Sequence, residues 1–463
     1  MKNIKFLSIA FVAALGLASC NKALDLQPTD NFTEDNAFQN LGHLQLGTNE
    51  SYGRYLTYAN DMYLNALLAD EAKLGDQNAG QGALTYRYQF SADGTTGGDV
   101  VGGWGGYYSV IDQTNRVLAA IERVNVLPSE QARENVLKGQ NLALRAISHF
   151  GLLQTFCGNF NANDRLGVPI MLASDVSAKP ARATMGQVMT QIENDLSTAK
   201  TLLASQPFYD TVMNKYNIAA YQARIALYKK DYAAAANYAT EVISSMVKPL
   251  ASITEFPDIW IDNGDMETLF RIRTEVSTAI GGLWQTTNDY SYIAPSDKLT
   301  NTYSGSDVRE ATYIGTSSLG SRIVKKFYTS SRGGLMVDAK PCRIAEMYLI
   351  RAEANARKVN PDLTAATADL NLLRQNRING YLDQTYTDAS DLIDAIMLER
   401  FKELAFEGFR FYDLKRNNLP VERLASDANA AWQTLPAGNF RFVMPIPQDE
   451  LLANPNMEQN PGY

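Results

Sequence analysis

Histidine and cysteine are the scarcest reactive residues in this 463-residue chain. There are two histidines, His43 and His149, and three cysteines. A three-histidine zinc site is therefore impossible, and the chain contains no H-E-x-x-H motif. The sequence thus indicates no metal centre and no cofactor. Cys157 and Cys342 could pair or remain buried free thiols, and the sequence leaves both alternatives open.

The chain also lacks a long apolar run and an excess of basic residues. A bilayer-spanning helix needs about 20 apolar residues, and no segment after the N-terminus supplies them. The net charge is −8, and no basic stripe is present. Because nucleic acid binding requires clustered Lys and Arg, we expect no nucleic-acid partner.

Catalytic motifs are missing as well. The glycine-rich stretch 94–106 lacks G-K-[ST], and no G-x-S-x-G elbow occurs. Carboxylate pairs such as Asp70 with Glu71, or Asp262 with Asp265, could in principle serve glycoside hydrolysis. Nothing in the sequence marks one of them as desolvated, so we predict that the protein is not an enzyme.

The N-terminus carries the most informative motif. Lys2 and Lys5 precede a short apolar run, which ends in the tetrad Leu-Ala-Ser-Cys at Cys20. Small residues before a cysteine are typical of a bacterial lipoprotein signal rather than of an ordinary cleavage site. We predict a signal peptide over 1–19, lipidation of Cys20 and a tether over 20–30. The alternative is a plain signal peptide with a chance cysteine.

Most of the remaining chain shows helical periodicity. Apolar residues recur at helical spacing in 107–124, 130–157 and 184–204. Residues 215–246 form a helix–turn–helix unit with alanines on the facing sides, and 342–376 form another; both resemble tetratricopeptide hairpins. The helices at 140–157 and 184–204 could make a third pair. We predict a mainly α fold, with a helical layer over about 107–246 and 341–416.

Two segments interrupt this pattern, at about 73–106 and 250–340. They are rich in Gly, Asn, Ser and Thr and contain strand-like runs such as 267–273 and 323–328. Long irregular segments inside a compact domain are usually functional. We therefore expect a loop-rich half with a few short strands that carries the ligand site, within a single domain over 31–463.

Aromatic and amide side chains in these segments are the candidate ligand-binding residues. Tyr and Trp stack on sugar rings, and amides and carboxylates bond to hydroxyl groups. Trp284, Tyr290 and Tyr292 are candidates for an exposed platform, whereas Trp104 could equally start a helix and pack into the core. The predicted ligand-binding residues are Asp76, Asn78, Trp104, Trp284, Tyr290 and Tyr292.

The segment 399–416 alternates charges with aromatic residues. Glu403 and Glu407 lie one helical turn apart, and Arg410 follows three residues later. These charges could form an active-site cluster. We favour a partly buried network of ion pairs that fixes the C-terminal helices.

Taken together, these blocks resemble the SusD/RagB lipoproteins of the Bacteroidetes along nearly the whole chain. The most specific pieces are the lipobox, LALRAISHFGLLQTFCGNF, PCRIAEMYLIRAEANAR, and the ending ERFKELAFEGFRFYDLKR with FVMPIPQDELLANPNMEQNPGY.

The resemblance implies four tetratricopeptide-like hairpins packed against a loop-rich ligand-binding half. It also implies a non-enzymatic lipoprotein, anchored in the outer membrane and facing the cell exterior. Its partner would be a SusC-like TonB-dependent transporter, and its ligand an oligosaccharide. Alternatives are peptide capture of the RagB type or a purely structural docking subunit.

Overall fold

Helices dominate the protein, whose computed structural model describes residues 37–463. The predicted signal peptide, Cys20 and the tether lie outside these residues. The mainly α prediction is confirmed. In chain order the helices are α1 (Leu41–Arg54), α2 (Tyr58–Leu68), α3 (Ala83–Tyr86), α4 (Asp99–Ile121), α5 (Gln131–Phe156), α6 (Met185–Leu202), α7 (Lys215–Tyr228), α8 (Tyr232–Ser244), α9 (Phe256–Trp260), α10 (Asp297–Thr300), α11 (Val308–Tyr313), α12 (Ile344–Arg357), α13 (Leu363–Gln375), α14 (Ala389–Glu403), α15 (Arg410–Arg416) and α16 (Gln448–Ala453).

The long helices form one continuous layer. Helices α1, α4 and α5 all pack on one another, and each helix from α5 to α8 packs on the next. Helix α8 then packs on α12, which in turn contacts α13 and α14. The hairpins predicted at 215–246 and 342–376 are therefore confirmed, as is the pairing of the helices at 140–157 and 184–204.

Local signals in the sequence explain why these helices begin where they do. Thr184 and Gln187 form a reciprocal capping box at the start of α6, and Asn214 with Asn217 does the same for α7. Asp231 caps α8 directly after Lys230, whose φ of +62° makes the tight turn of the hairpin. These caps satisfy amide groups that helix formation leaves without partners.

Helix α4 begins at Asp99, not at residue 107 as predicted, so residues 99–106 of the glycine-rich stretch are helical. One glycine of this helix, Gly106, permits a close approach that no other residue would allow. A Cβ on Gly106 would lie 1.9 Å from Oγ1 of Thr57. The cost of glycine in a helix, about 1 kcal/mol per residue, is offset here by the burial of Val100 and Tyr107.

The strands are short, and each named strand pairs with one antiparallel partner. The pairs are β1 (Ala72–Leu74) with β3 (Ile293–Pro295), β2 (Thr268–Ile272) with β8 (Ala339–Arg343), β4 (Ile314–Thr316) with β5 (Arg322–Val324), β6 (Thr329–Ser330) with β7 (Gly333–Gly334), and β9 (Val421–Glu422) with β10 (Thr434–Leu435). The strand-like run at 267–273 is confirmed as β2. The run at 323–328 is only partly a strand, because a 3-10 turn begins at Lys325.

A buried network of ion pairs joins the helical layer to these strands, as predicted for 399–416. Glu403 on α14 accepts hydrogen bonds from Arg309, Arg343 and Arg377 at 3.0–3.1 Å. Burial by itself would raise the pKa of Glu403, but the three guanidinium groups hold it well below its usual range. The carboxylate therefore stays charged and ties together elements that are distant in sequence.

Cys157, Cys342 and His149 are buried in the core. Cys157 and Cys342 are both free thiols. The ring of His149 lies on helix α5 near the carbonyl oxygen of Arg145, at 3.0 Å from Nδ1, and burial lowers its pKa to about 4. Within residues 37–463, none of the helices combines the length and the apolar character needed to cross a bilayer.

Candidate ligand-binding loop cluster

Three loops meet at one edge of the short strands, at residues 75–82, 285–292 and 317–321. Antiparallel pairing places Leu74, the last residue of β1, opposite Ile293, the first residue of β3. The first two loops therefore lie side by side. The third loop leads into β5, which packs against β3. We call these three segments the loop cluster.

Gln77 connects all three loops. Its Oε1 accepts from the backbone N–H of Ser291 at 3.0 Å, and its Nε2 donates to the Ser321 hydroxyl at 2.8 Å. Gly75 makes the close approach possible, because a Cβ there would lie 2.2 Å from the carbonyl oxygen of Ser291. The loops are thus held in place by their own polar groups, which favours a preformed surface.

Asp289 fixes the outer end of the second loop. It has a φ of +63°, and its carboxylate accepts hydrogen bonds from the hydroxyls of Ser318, at 2.6 Å, and Tyr328. These hydrogen bonds lower the pKa of Asp289, and the bond from the Ser318 hydroxyl has the largest effect. The side chain therefore remains ionised and links the second loop to the third.

Trp284 does not form part of an exposed platform, so this part of the prediction is wrong. It is fully buried, stacked on Phe327 at 5.6 Å and packed edge-on against Tyr63 at 6.2 Å. Its carbonyl oxygen accepts from the N–H of Tyr292 at 2.9 Å. Trp284 anchors the second loop from below, because a large apolar ring in a short loop is stabilised most by burial.

Tyr290 and Tyr292 follow this anchor, and their exposures differ. The side chain of Tyr290 is 48% exposed. Tyr292 is half-buried and packs against the core. Tyr290 is therefore the most exposed aromatic residue of the predicted set.

Trp104 belongs to the core, as the alternative reading of the sequence had it. It lies on α4, is 4% exposed, and packs against Tyr108 at 5.0 Å and Phe156 at 5.1 Å. Its Nε1 donates to Glu450 at 3.4 Å. These neighbours belong to the helical layer and to α16, so Trp104 packs away from the loop cluster.

The two polar residues predicted in the first loop have different roles. Asp76 is exposed. Asn78 is committed to loop structure, because its Nδ2 donates to the carbonyl oxygens of Gln81 and Tyr292 and its Oδ1 accepts from the N–H of Gly80. Of this pair, Asp76 is the one whose side chain is exposed.

Sequence reasoning missed the third loop and Asp289. The loop 317–321 reads SSLGS and presents Leu319, which is 54% exposed, beside the hydroxyl groups. Its Ser and Gly content signals a turn, but no local pattern places that turn next to Gln77. Only the pairing of β1 with β3 and the packing of β3 on β5 bring it there.

Charged groups on and beside the strands that carry these loops pair with one another. Asp297 pairs with Lys73 at 3.0 Å and with Arg322 at 2.5 Å, and Lys73 also lies 3.4 Å from Asp427.

The exposed part of the loop cluster combines an aromatic ring, a carboxylate and hydroxyl groups. Such a surface can stack on a ring and bond to hydroxyls, which suits a polar, weakly charged ligand.

Two family models, each matching a different part, together cover most of the chain. One is described as "SusD family" and matches residues 281–463, so that it includes the second and third loops of the cluster. The other is described as "Starch-binding associating with outer membrane" and matches residues 29–227, which include the first loop.

Full-length relatives and solved structures agree with these matches. A SusD-like protein of Formosa agariphila is 26% identical, with both chains covered completely. A SusD superfamily structure from Bacteroides thetaiotaomicron is 26% identical with a TM-score of 0.82, covering 91% of this chain and 100% of that one. Another, from Bacteroides vulgatus, is 25% identical with a TM-score of 0.80, covering 92% and 100%.

Proposed function

Because the chain belongs to the SusD family, we propose that it captures oligosaccharides at the cell surface and delivers them to a SusC-like TonB-dependent transporter. The observation that carries the proposal is the loop cluster. It presents Tyr290 and Asp76 on a scaffold fixed by Gln77. Fixed aromatic and polar groups bind sugars with little loss of conformational freedom.

The lipid anchor and the transporter complete this proposal. Cys20 would carry the lipid, and the tether over 20–30 would hold the protein beside its partner in the outer membrane. The description "Starch-binding associating with outer membrane" of the matching family supports this location. The helical layer offers a regular surface for the transporter, which leaves the loop cluster available for the ligand.

Affinity electrophoresis against a polysaccharide panel, with starch first, tests the proposal. We expect retardation by at least one neutral polysaccharide. Tyr290→Ala should weaken that binding about tenfold, equivalent to ~1.4 kcal/mol, because the exposed ring stacks on the sugar. Asp76→Asn should weaken it less, since an amide still bonds to hydroxyls.

Tyr209 provides the matched control. It is 58% exposed and lies outside the loop cluster, so Tyr209→Ala should bind like the wild type. Trp284→Ala is unsuitable, because it would open a cavity in the core. If Tyr290→Ala and Tyr209→Ala bind the polysaccharide equally well, the loop cluster is not the site. Binding of peptides but of no polysaccharide would contradict the choice of ligand.

A further inference from the structure

A separate cleft of about 350 Å³ opens where four segments meet near the C-terminal end of α15. The segments are the loop after α5, the residues that end α15, the turn around 438–443, and residues 460–461. None of the residues that line it belongs to the loop cluster. Its volume is at the lower end of the range for small-molecule pockets, about 300–1,000 Å³.

Lys415 forms part of the wall of this cleft and is 6% exposed. Its Nζ donates to the carbonyl oxygens of Gln154, at 2.7 Å, and Cys157 at the end of α5. An ammonium group has three donors. Among the described residues, no ion pair joins it to a carboxylate, and its third donor has no protein acceptor.

Several other buried cations of this protein have a carboxylate partner. Lys326 pairs with Glu407, Lys402 with Asp307, and Arg224 with Glu346. A buried charge without a counter-charge is costly. Arg423 is likewise buried without a carboxylate partner in the described part of the chain, but its guanidinium donates to four backbone carbonyl oxygens. Lys415 has two such acceptors and borders the cleft, so an anion bound there would restore its charge balance.

The rest of the lining suits a hydroxylated ring. The side-chain amides of Asn159 and Asn418 have no protein hydrogen bonds among the described residues, so both can bond to hydroxyl groups. One carboxylate oxygen of Asp164 is engaged by the N–H of Leu166 at 2.9 Å, which leaves the other to accept from a hydroxyl. Phe440, 38% exposed, adds an apolar face.

We propose that this cleft binds a hexuronate, a sugar whose ring carries hydroxyl groups and one carboxylate. The ligand carboxylate lies against the ammonium group of Lys415. The amides and Asp164 hold the hydroxyl groups, and Phe440 covers the apolar face of the ring. The inference goes beyond oligosaccharide capture by the loop cluster and does not depend on it.

Titration calorimetry with glucuronate and, separately, glucose tests this assignment on the folded chain. We expect glucuronate to bind at least about tenfold more tightly than glucose. Lys415→Met should bring the two affinities to within about twofold of each other, because the charge preference comes from the ammonium group. Lys179→Met, at an exposed position, is the matched control and should retain the preference, as should Tyr290→Ala.

Lys415→Met leaves two carbonyl oxygens without their donor, so circular dichroism must first show that the variant folds. Asn159→Ala and Phe440→Ala alter exposed residues of the same cleft. Each should weaken glucuronate binding at least about threefold, whether or not Lys415→Met folds. Equal affinity for glucuronate and glucose in the wild type would overturn the proposal. So would wild-type glucuronate affinity in both cleft variants.

Discussion

At the scale of single residues, the most consequential charges of this protein lie in its interior. Glu403, Arg343 and Arg377 are all fully or almost fully buried, yet each carries several charge-assisted hydrogen bonds. Such a network contributes little net stability compared with an apolar core of the same shape, but loss of one partner is costly because it leaves a buried charge uncompensated.

Glu403→Gln should therefore destabilise the protein by about 3–5 kcal/mol. The substitution keeps the size of the side chain and removes the charge that three guanidinium groups share. Chemical denaturation followed by circular dichroism measures the effect. The control is Glu458→Gln, which removes an exposed carboxylate paired with Arg165 and should leave the denaturation midpoint unchanged. Equal midpoints for the two variants would contradict the structural importance of the network.

At the scale of elements, close packing of α8 depends on small residues. Ala235 and Ala239 are completely buried where α8 meets its neighbours α7 and α12. Alanine at these positions lets helix axes approach closely. The spacing of the alanines along the chain made the hairpin recognisable from the sequence, because the helical period and the facing alanines are both local features.

Ala239→Leu should cost about 1–3 kcal/mol, since three added carbon atoms have no space in a packed interface. Ala233→Leu is the matched control: it is the same substitution on the same helix at an exposed position, and it should change stability by less than about 0.5 kcal/mol. Thermal unfolding of both variants gives the comparison. A midpoint for Ala239→Leu equal to that for Ala233→Leu would mean that the helix interface is loose.

At the scale of the whole molecule, buried ionisable groups couple folding to pH. Burial raises the pKa of Glu71 to about 8 and that of Asp61 to about 7. The native state thus binds protons that the unfolded chain releases, so both groups lower stability as the pH rises above about 4–5. Burial of His149 lowers its pKa to about 4 and has the opposite sign between about pH 4 and 6.5. Burial also lowers the pKa of Lys326 to about 7 and that of Lys415 to about 8, and these two groups raise stability as the pH rises above those values.

The substitution Glu71→Gln isolates the contribution of Glu71 to the pH dependence of stability. Between pH 5 and 8 the stability of the wild type should fall relative to the variant by about 1.4 kcal/mol per pH unit, because the amide does not titrate. The difference between the two unfolding free energies at each pH is the quantity to measure, since the other groups cancel in it. A difference that stays constant over this range would show that Glu71 is ionised in the native state.

Short stretches of the sequence are enough to predict the helical class, the hairpins and the ion-pair segment 399–416. Caps, helical periodicity and charge spacing are properties of short stretches, so they can be recognised without the fold. The lipobox at Cys20 is likewise a local motif, which gives a prediction about location independently of the described residues.

The positions of the candidate sites, in contrast, depend on how the whole chain packs. Trp284 and Tyr290 are six residues apart in one irregular loop, yet one is fully buried and the other about half exposed. The loop 317–321 meets Gln77 because strand pairing brings together residues that are distant in the sequence. The described segments that pack around Lys415 supply it with carbonyl oxygens and with no carboxylate partner. Burial and long-range pairing arise from the packing of the whole chain, and no local pattern encodes them.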